Sequence, residues 1–170
     1  MTATRTPRIL LAEDEEAMRA YLERALTNAG YFVSAVDRGT DAVPLLETGD
    51  VLDIASGDGV LAELLSPHAK RYICIDTSAR VVAAASERLR RLPNVEVREG
   101  DMHALPFKDR SFDLVVLMHA LTYAAKPAQA VTEAARVLRP GGRIWLTLHG
   151  RSTAQGFSAK SRSAQSDSPA

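Results

Sequence analysis

Between Val51 and Gly59 the chain reads VLDIASGDG, an apolar run that carries one carboxylate and breaks into a loop of small residues before the helical pattern VLAELL. A strand that turns this abruptly into a helix belongs to an α/β sheet, because parallel strands need a crossover element to return the chain to the same edge. Glycine lets backbone approach a ligand closely, and the new helix presents free N–H groups, so the same turn has the layout of a nucleotide site. The spacing of Gly57, Gly59 and Ala62 satisfies the dinucleotide pattern GxGxxG/A, which alone is unspecific. Charge argues against a dinucleotide. Asp53 in the strand and Asp58 in the loop would set two like charges against a pyrophosphate at close range, whereas a cationic ligand suits both.

Apolar runs and helical periodicity alternate along the rest of the chain, which predicts a mainly parallel sheet of about seven strands, Rossmann-like, with helices on both faces. RILLA is a short buried strand. Met18, Tyr21, Leu22, Ala25 and Leu26 share one face of a helix over Glu15 to Ala29 that stops at Gly30. YFVSAV reads as a strand and Thr40 to Glu47 as a helix, with Pro44 in its first turns. Then come a helix near Val60 to Leu65, a strand near Tyr72 to Ile75, a helix near Ala79 to Leu92, and strands at 95–98 and 112–118. A helix over 127–138, opened by Pro127 and closed by Pro140-Gly141-Gly142, leads to a last strand at 143–148. From Arg151 the pattern gives way to a serine-rich segment, residues 151–170, which is too poor in apolar residues to offset its ordering entropy and is expected to be disordered.

An apolar share of 46% over 170 residues is that of a globular chain of one domain. No apolar run approaches the ~18 residues of a membrane span, and MTATRTPR lacks the apolar core of a signal peptide, so a cytoplasmic setting is expected. The single cysteine, Cys74, lies in an apolar strand, which agrees with a reducing compartment and a packing role. Formal charge is balanced at zero, which gives no electrostatic footprint for nucleic acid. His68 and His149 have no partner at metal-ligand spacing, and no metal site is expected.

The pattern acid-x-small-x-Gly-x-Gly in VLDIASGDG resembles the first motif of class I S-adenosylmethionine-dependent methyltransferases. The likeness continues through RYICIDTS, VEVREGDMHALPF, FDLVVLMHAL and EAARVLRPGGRIWLTL, in order, over roughly residues 50 to 149 or 150. It is closest to small-molecule enzymes of the type-11 kind. The resemblance implies S-adenosyl-L-methionine as cofactor: Asp53, Ala55, Ser56, Gly57 and Gly59 at its methionine end, Asp76 with Thr77 at the ribose hydroxyls, and Asp101 with Met102 at the adenine. Met118 and His119 match positions near the transferred methyl, where His119 is a candidate base. Tyr123 is a weaker pocket candidate, and His103 is expected to be exposed. Ala55 stands where the family usually has glycine, at little cost if the backbone there is in the ordinary β region.

Residues 8 to 47 carry a second resemblance. RILLAEDEEAMRAYLERALTNAGYFVSAVDRGTDAVPLLETG is similar to the first two βα units of a response-regulator receiver, with Glu13 and Asp14 in the place of its acidic Mg²⁺ pair. No phosphoacceptor strand follows, since the chain enters VLDIASGDG instead. As a plain sequence feature, Glu13 and Asp14 read as solvated carboxylates at a helix N-terminus. The chain thus looks like a chimera: a receiver-like segment over residues 1–49 joined near Glu47 to Asp50 to a methyltransferase-like core over residues 50–150.

Three readings of function follow. The first is methyl transfer from S-adenosylmethionine to a small-molecule substrate, helped chiefly by aligning the reacting atoms. The second is a non-catalytic cofactor-binding or signalling module, since the family continues beyond the fifth core strand into an antiparallel pair. The third is a dinucleotide oxidoreductase, disfavoured by Asp53 and Asp101. The strand Arg143 to Leu148 would otherwise present an apolar edge. Arg8 to Ala12, together with Phe32 to Val36, is therefore expected to pair beside it and extend the same sheet.

Overall fold

The computed structural model describes residues 8–37 and 49–147. The expected helix over Thr40 to Glu47, Leu148, His149 and the serine-rich segment from Arg151 lie outside the described residues. In chain order the elements are β1 (Arg8–Ala12), α1 (Glu16–Asn28), β2 (Phe32–Val36), β3 (Asp50–Ile54), α2 (Val60–Leu65), β4 (Arg71–Asp76), α3 (Ala79–Leu89), β5 (Val95–Glu99), β6 (Phe112–Met118), α4 (Pro127–Val137) and β7 (Leu138–Thr147). The strands form one seven-stranded sheet in the order β2-β1-β7-β6-β3-β4-β5, and every pairing between them is parallel. β1 lies against β7 with Arg8 opposite Arg143 and Thr147 opposite Ala12, on the side of the sheet that the edge argument selects.

Period-two alternation divides the strand side chains between two apolar layers. On one face Ile9, Leu11, Leu52, Ile54, Ile73, Ile75, Val115 and Leu117 pack under Leu22 of α1 and Ala130, Ala134 and Val137 of α4. On the other, Leu10, Val51, Tyr72, Cys74, Val116 and Trp145 pack under Ala62 and Leu65 of α2 and Ala85 and Leu89 of α3. β3 is buried along its whole length. This is why its sequence reads as a near-continuous apolar run, and why Asp53 within it is conspicuous.

Several boundaries differ from expectation, each for a local reason. The helix predicted to reach Leu92 ends at Leu89, because Pro93 disfavours helical backbone at Leu92. Instead the Leu92 N–H donates to the Leu89 carbonyl in a closing turn. α4 ends at Val137, and Leu138 is already extended and paired with Phe112 at the start of β7; the register then shifts between Phe112 and Leu114 to absorb Arg139 to Gly142. On α1 the burial is narrower than the apolar face predicts. Leu22 is buried, Met18 and Leu26 are partly covered, and Tyr21 is 45% exposed. Glu13 is not the solvated carboxylate expected: it is 2% exposed, and Oε1 accepts from the Glu15 N–H.

Candidate cofactor site

The loop after β3 is shaped by three left-handed residues, Ala55 (φ 56), Gly57 (φ 58) and Gly59 (φ 83). Ala55 is therefore not in the β region, and its methyl group carries the strain that glycine would avoid. At Gly59 a side chain would also collide with Leu89, since an added Cβ would lie 2.6 Å from its Cδ1. The Ser56 N–H donates to the Ile75 carbonyl at 3.0 Å and the Gly59 N–H to the Ser56 carbonyl at 3.2 Å, which ties the loop to the end of β4 and closes it before α2.

Asp76, the last residue of β4, fastens the same loop. Its Oδ2 accepts from the Gly57 N–H at 3.3 Å and its Oδ1 from the Ser78 N–H at 3.0 Å. Ser78 in turn caps α3 by accepting from the Val81 N–H. Thr77 beside it is exposed. One strand further, just past β5, Asp101 Oδ1 accepts from both the backbone N–H and the Nδ1 of His103. These bonds hold its carboxyl below the usual carboxylate range, the backbone bond contributing most. Met102 is buried beneath it.

Parallel order thus lines up three acids along one edge of the sheet: Asp53 near the end of β3, Asp76 at the end of β4 and Asp101 just beyond β5. Adjacent strands lie about 4.8 Å apart, so the row has the length of a nucleoside with a substituent. It stands at the carboxyl ends of the strands, where open α/β sheets bind ligands.

Asp53 is the buried member. It is 1% exposed, and the Tyr72 hydroxyl donates to its Oδ2 at 2.9 Å. Burial pushes this carboxyl up to about 7, against the lowering effect of the tyrosine hydroxyl. The charge argument of the sequence therefore holds only in part, because Asp53 is not a fully ionised carboxylate near neutral pH until a cation joins it. Asp53, Ala55, Ser56 and Asp58 line a cavity of about 350 Å³ together with Met118 and an apolar wall of Val60, Leu61 and Leu64. Asp58 is already paired there, with Arg88 at 3.1 Å. A more open depression of about 670 Å³ between Asp50, Arg71 and Asn94 lies at the opposite end of the strands and holds none of the expected site residues.

The remaining candidates are less favourably set. Met118 Sδ accepts from the Thr147 hydroxyl at 2.9 Å. His119 follows it at φ 54 and starts a single 3₁₀ turn, but it is not among the residues lining the cavity. Tyr123 is 82% exposed. His103, expected to be exposed, is instead pinned: its side chain is 20% exposed, and Nε2 accepts from the Lys126 N–H at 3.2 Å. Burial pushes the Cys74 thiol up to about 12, as befits a packing residue. Tyr72 is the site residue that motif reading missed. Its signal was one polar atom in an aliphatic strand, two residues before Cys74, which pairs with Asp53.

The family model described as a methyltransferase domain matches residues 52–146 of the 170. The chain belongs to this methyltransferase family. The methyltransferase domain is 44% identical over 108 residues to an uncharacterized 37.1 kDa transposon protein of Streptomyces fradiae, covering 61% of this chain and 31% of that protein. It is 36% identical over 104 residues to a probable S-adenosylmethionine-dependent methyltransferase of Mycolicibacterium smegmatis, covering 61% and 39%. Its fold superposes on the crystal structure of YcgJ from Bacillus subtilis with a TM-score of 0.56 at 31% identity, over 62% of this chain and 49% of the other. The chain spans less than half the length of these curated relatives. Asp53, Asp76, Asp101 and Met118 all fall inside the matched region, whereas β1, α1 and β2 lie before it.

Proposed function

We propose that this chain binds S-adenosylmethionine along the carboxyl ends of β3, β4 and β5 and takes part in methyl transfer to a small-molecule acceptor. The observation that carries the reading is the row of Asp53, Asp76 and Asp101 beside a glycine loop fastened to Asp76. The residues fit the cofactor's chemistry. Asp53 is a buried acid that no cation neutralises among the described residues, and at Gly57 an added Cβ would meet nothing within 4 Å, so the loop is open to a ligand.

When bound, the cofactor supplies a methyl group activated by a positively charged sulfur. Asp53 and Ser56 hold the amino-acid end, Asp76 with Thr77 accepts from the ribose hydroxyls, and Asp101 with Met102 receives the base. Met118 contributes an apolar, polarizable wall next to the loop. The chain's own contribution to rate is alignment of the reacting atoms in a site that excludes water. His119 is kept as the base for an acceptor that must lose a proton.

The segment from β1 to β2, receiver-like in wording, is read here as scaffold. Glu13 is already engaged within its own turn, its Oε1 accepting from the Glu15 N–H, and no phosphoacceptor strand follows it in the sequence. The setting is the cytoplasm, a reading supported by the unpaired thiol of Cys74.

The test is a thermal-shift and calorimetry panel with S-adenosylmethionine, S-adenosylhomocysteine and NAD. A specific ligand at ~100 times its Kd adds about 2.7 kcal/mol of stability, and this is expected for the first two and not for NAD. Asp76→Ala should weaken S-adenosylhomocysteine by about 1.5–3 kcal/mol, the loss of charge-assisted hydrogen bonds. Unchanged affinity in that variant would remove Asp76 from the site.

A further inference from the structure

We propose that Tyr72 is a positioning residue of this site, its hydroxyl holding one oxygen of the Asp53 carboxyl so that the other meets the cationic end of the cofactor. The inference rests on the functional reading above and adds to it a residue to which the resemblance gave no role.

Packing alone does not account for a tyrosine here. Tyr72 is fully buried, in a strand whose following residues are Ile73, Cys74 and Ile75, and it lies in the apolar layer with Val51, Ala62 and Leu65. Phenylalanine would fill the same volume without a polar atom, and a buried hydroxyl is costly unless it is bonded. The bond it makes is the 2.9 Å donation to Asp53 Oδ2. Register explains the reach: Asp53 pairs with Cys74, so Tyr72 lies two residues back on the same face of the neighbouring strand. A carboxylate on a buried strand has two oxygens and a freely turning terminal torsion, and fixing one oxygen fixes the other. Oδ1 is then the atom left to face the cavity that Asp53 shares with Ser56 and Met118.

The same bond acts on ionisation. The groups facing Asp53 from its neighbours are Tyr72 and Cys74 on β4 and Asp58 in the loop, the last engaged by Arg88 of α3. The residues of β6 and α2 on this side are apolar: Val116, Met118, Val60, Leu61 and Leu64. No described cation opposes the burial that raises this carboxyl, so the hydroxyl is the one neighbour that favours the charged form. Removing it shifts Asp53 further toward the neutral acid, which attracts an ammonium less.

The experiment compares wild type with Tyr72→Phe in two readouts. The first follows the Asp53 side-chain carbon by ¹³C NMR across pH, assigned with Asp53→Asn and needing no cofactor. The second measures affinity for S-adenosylhomocysteine, which carries an ammonium, and for 5′-methylthioadenosine, which lacks the amino-acid tail. The Asp53 titration is expected to move upward in Tyr72→Phe. S-adenosylhomocysteine affinity should fall about tenfold at neutral pH and recover as pH rises by about two units, while methylthioadenosine binds as before. An unmoved titration, or equal losses for both ligands, would overturn the assignment of Tyr72. If wild type binds neither ligand, the functional reading fails, and the carboxyl titration still judges Tyr72 by itself.

Discussion

A methyl group at φ 56 costs the Asp53 loop free energy that a hydrogen atom would not, because an L-residue in the left-handed region is strained by roughly 1–2 kcal/mol. Replacing it also enlarges the freedom of the unfolded chain, which returns about 0.4–1 kcal/mol of that gain. Ala55→Gly is accordingly expected to raise stability by about 0.5–1 kcal/mol, read as a higher urea midpoint at unchanged slope. A midpoint that falls would show that the methyl's contacts with the core outweigh its strain. The sequence picked out Ala55 as the departure from its family but not its backbone angle, which is imposed by Ser56 bonding to Ile75 across the sheet. Asp53 and Asp76 were legible because each lies in or at the end of an apolar run, and Asp101 because the wording after β5 matches the family. Tyr72 was not legible as a site residue, because its partner is set by the pairing of β3 with β4, and register between strands is not written in local spacing.

Strands β3, β4, β6 and β7 are clamped at the end away from the site by a charge cluster. Arg139 donates to Asp113 at 2.6 Å and to Asp50 at 2.7 Å, the Asp50 N–H donates to Asp113 Oδ2, and Arg71 flanks Asp50 at 3.4 Å. Burial tends to raise the Asp50 carboxyl, but Arg139 and Arg71 outweigh it and hold it below the usual range. A depressed carboxyl stabilises the fold fully above its unfolded value, near 3.8, and loses that contribution as pH falls through the folded one. Arg139→Gln is expected to lower stability at pH ~7, with the difference from wild type shrinking at an acid pH below the unfolded value of 3.8, as Asp50 loses its charge in wild type. Urea melts at the two pH values measure this, and an equal deficit at both would exclude the ionic contribution. Asp53 works in the opposite sense: raised to about 7, it favours the fold at low pH and costs stability as pH rises from its unfolded value through 7. At this scale the strands from β1 to β6 were readable to within about a residue, β3 for instance starting one residue early at Asp50, while β7 starts at Leu138, five residues before the expected Arg143. The helix ends were read less well, because Pro93 and Pro140 act on the residues before them. The face of α1 was overcounted, since the sheet covers only part of an apolar stripe.

The single sheet makes β1 a structural member of the whole molecule, with β2 on one side and β7 on the other. Leu11 is fully buried in the layer that also holds Leu52, Val115 and Leu146. Leu11→Ala should therefore cost about 2–5 kcal/mol, and heat or denaturant should still give one cooperative transition that includes the α2–β4 region. An early separate loss of β1, α1 and β2, seen as a second transition, would mean that this segment is not a scaffold for the site. The position of β1 was legible through the resemblance, whose sheet order implies two neighbours for β3 and leaves the strand at 143–148 with an open edge. The pairing has a further consequence in time. Arg8 meets Arg143, so β1 finds its partner only after all the strands of the core between them have been synthesised. At about 5–20 residues per second that delay is on the order of ten seconds. Meanwhile β1 has only β2 and α1 for company, a two-stranded unit too small to be stable. The apolar RILLA segment thus stays uncovered on the nascent chain until β7 arrives to pair with it.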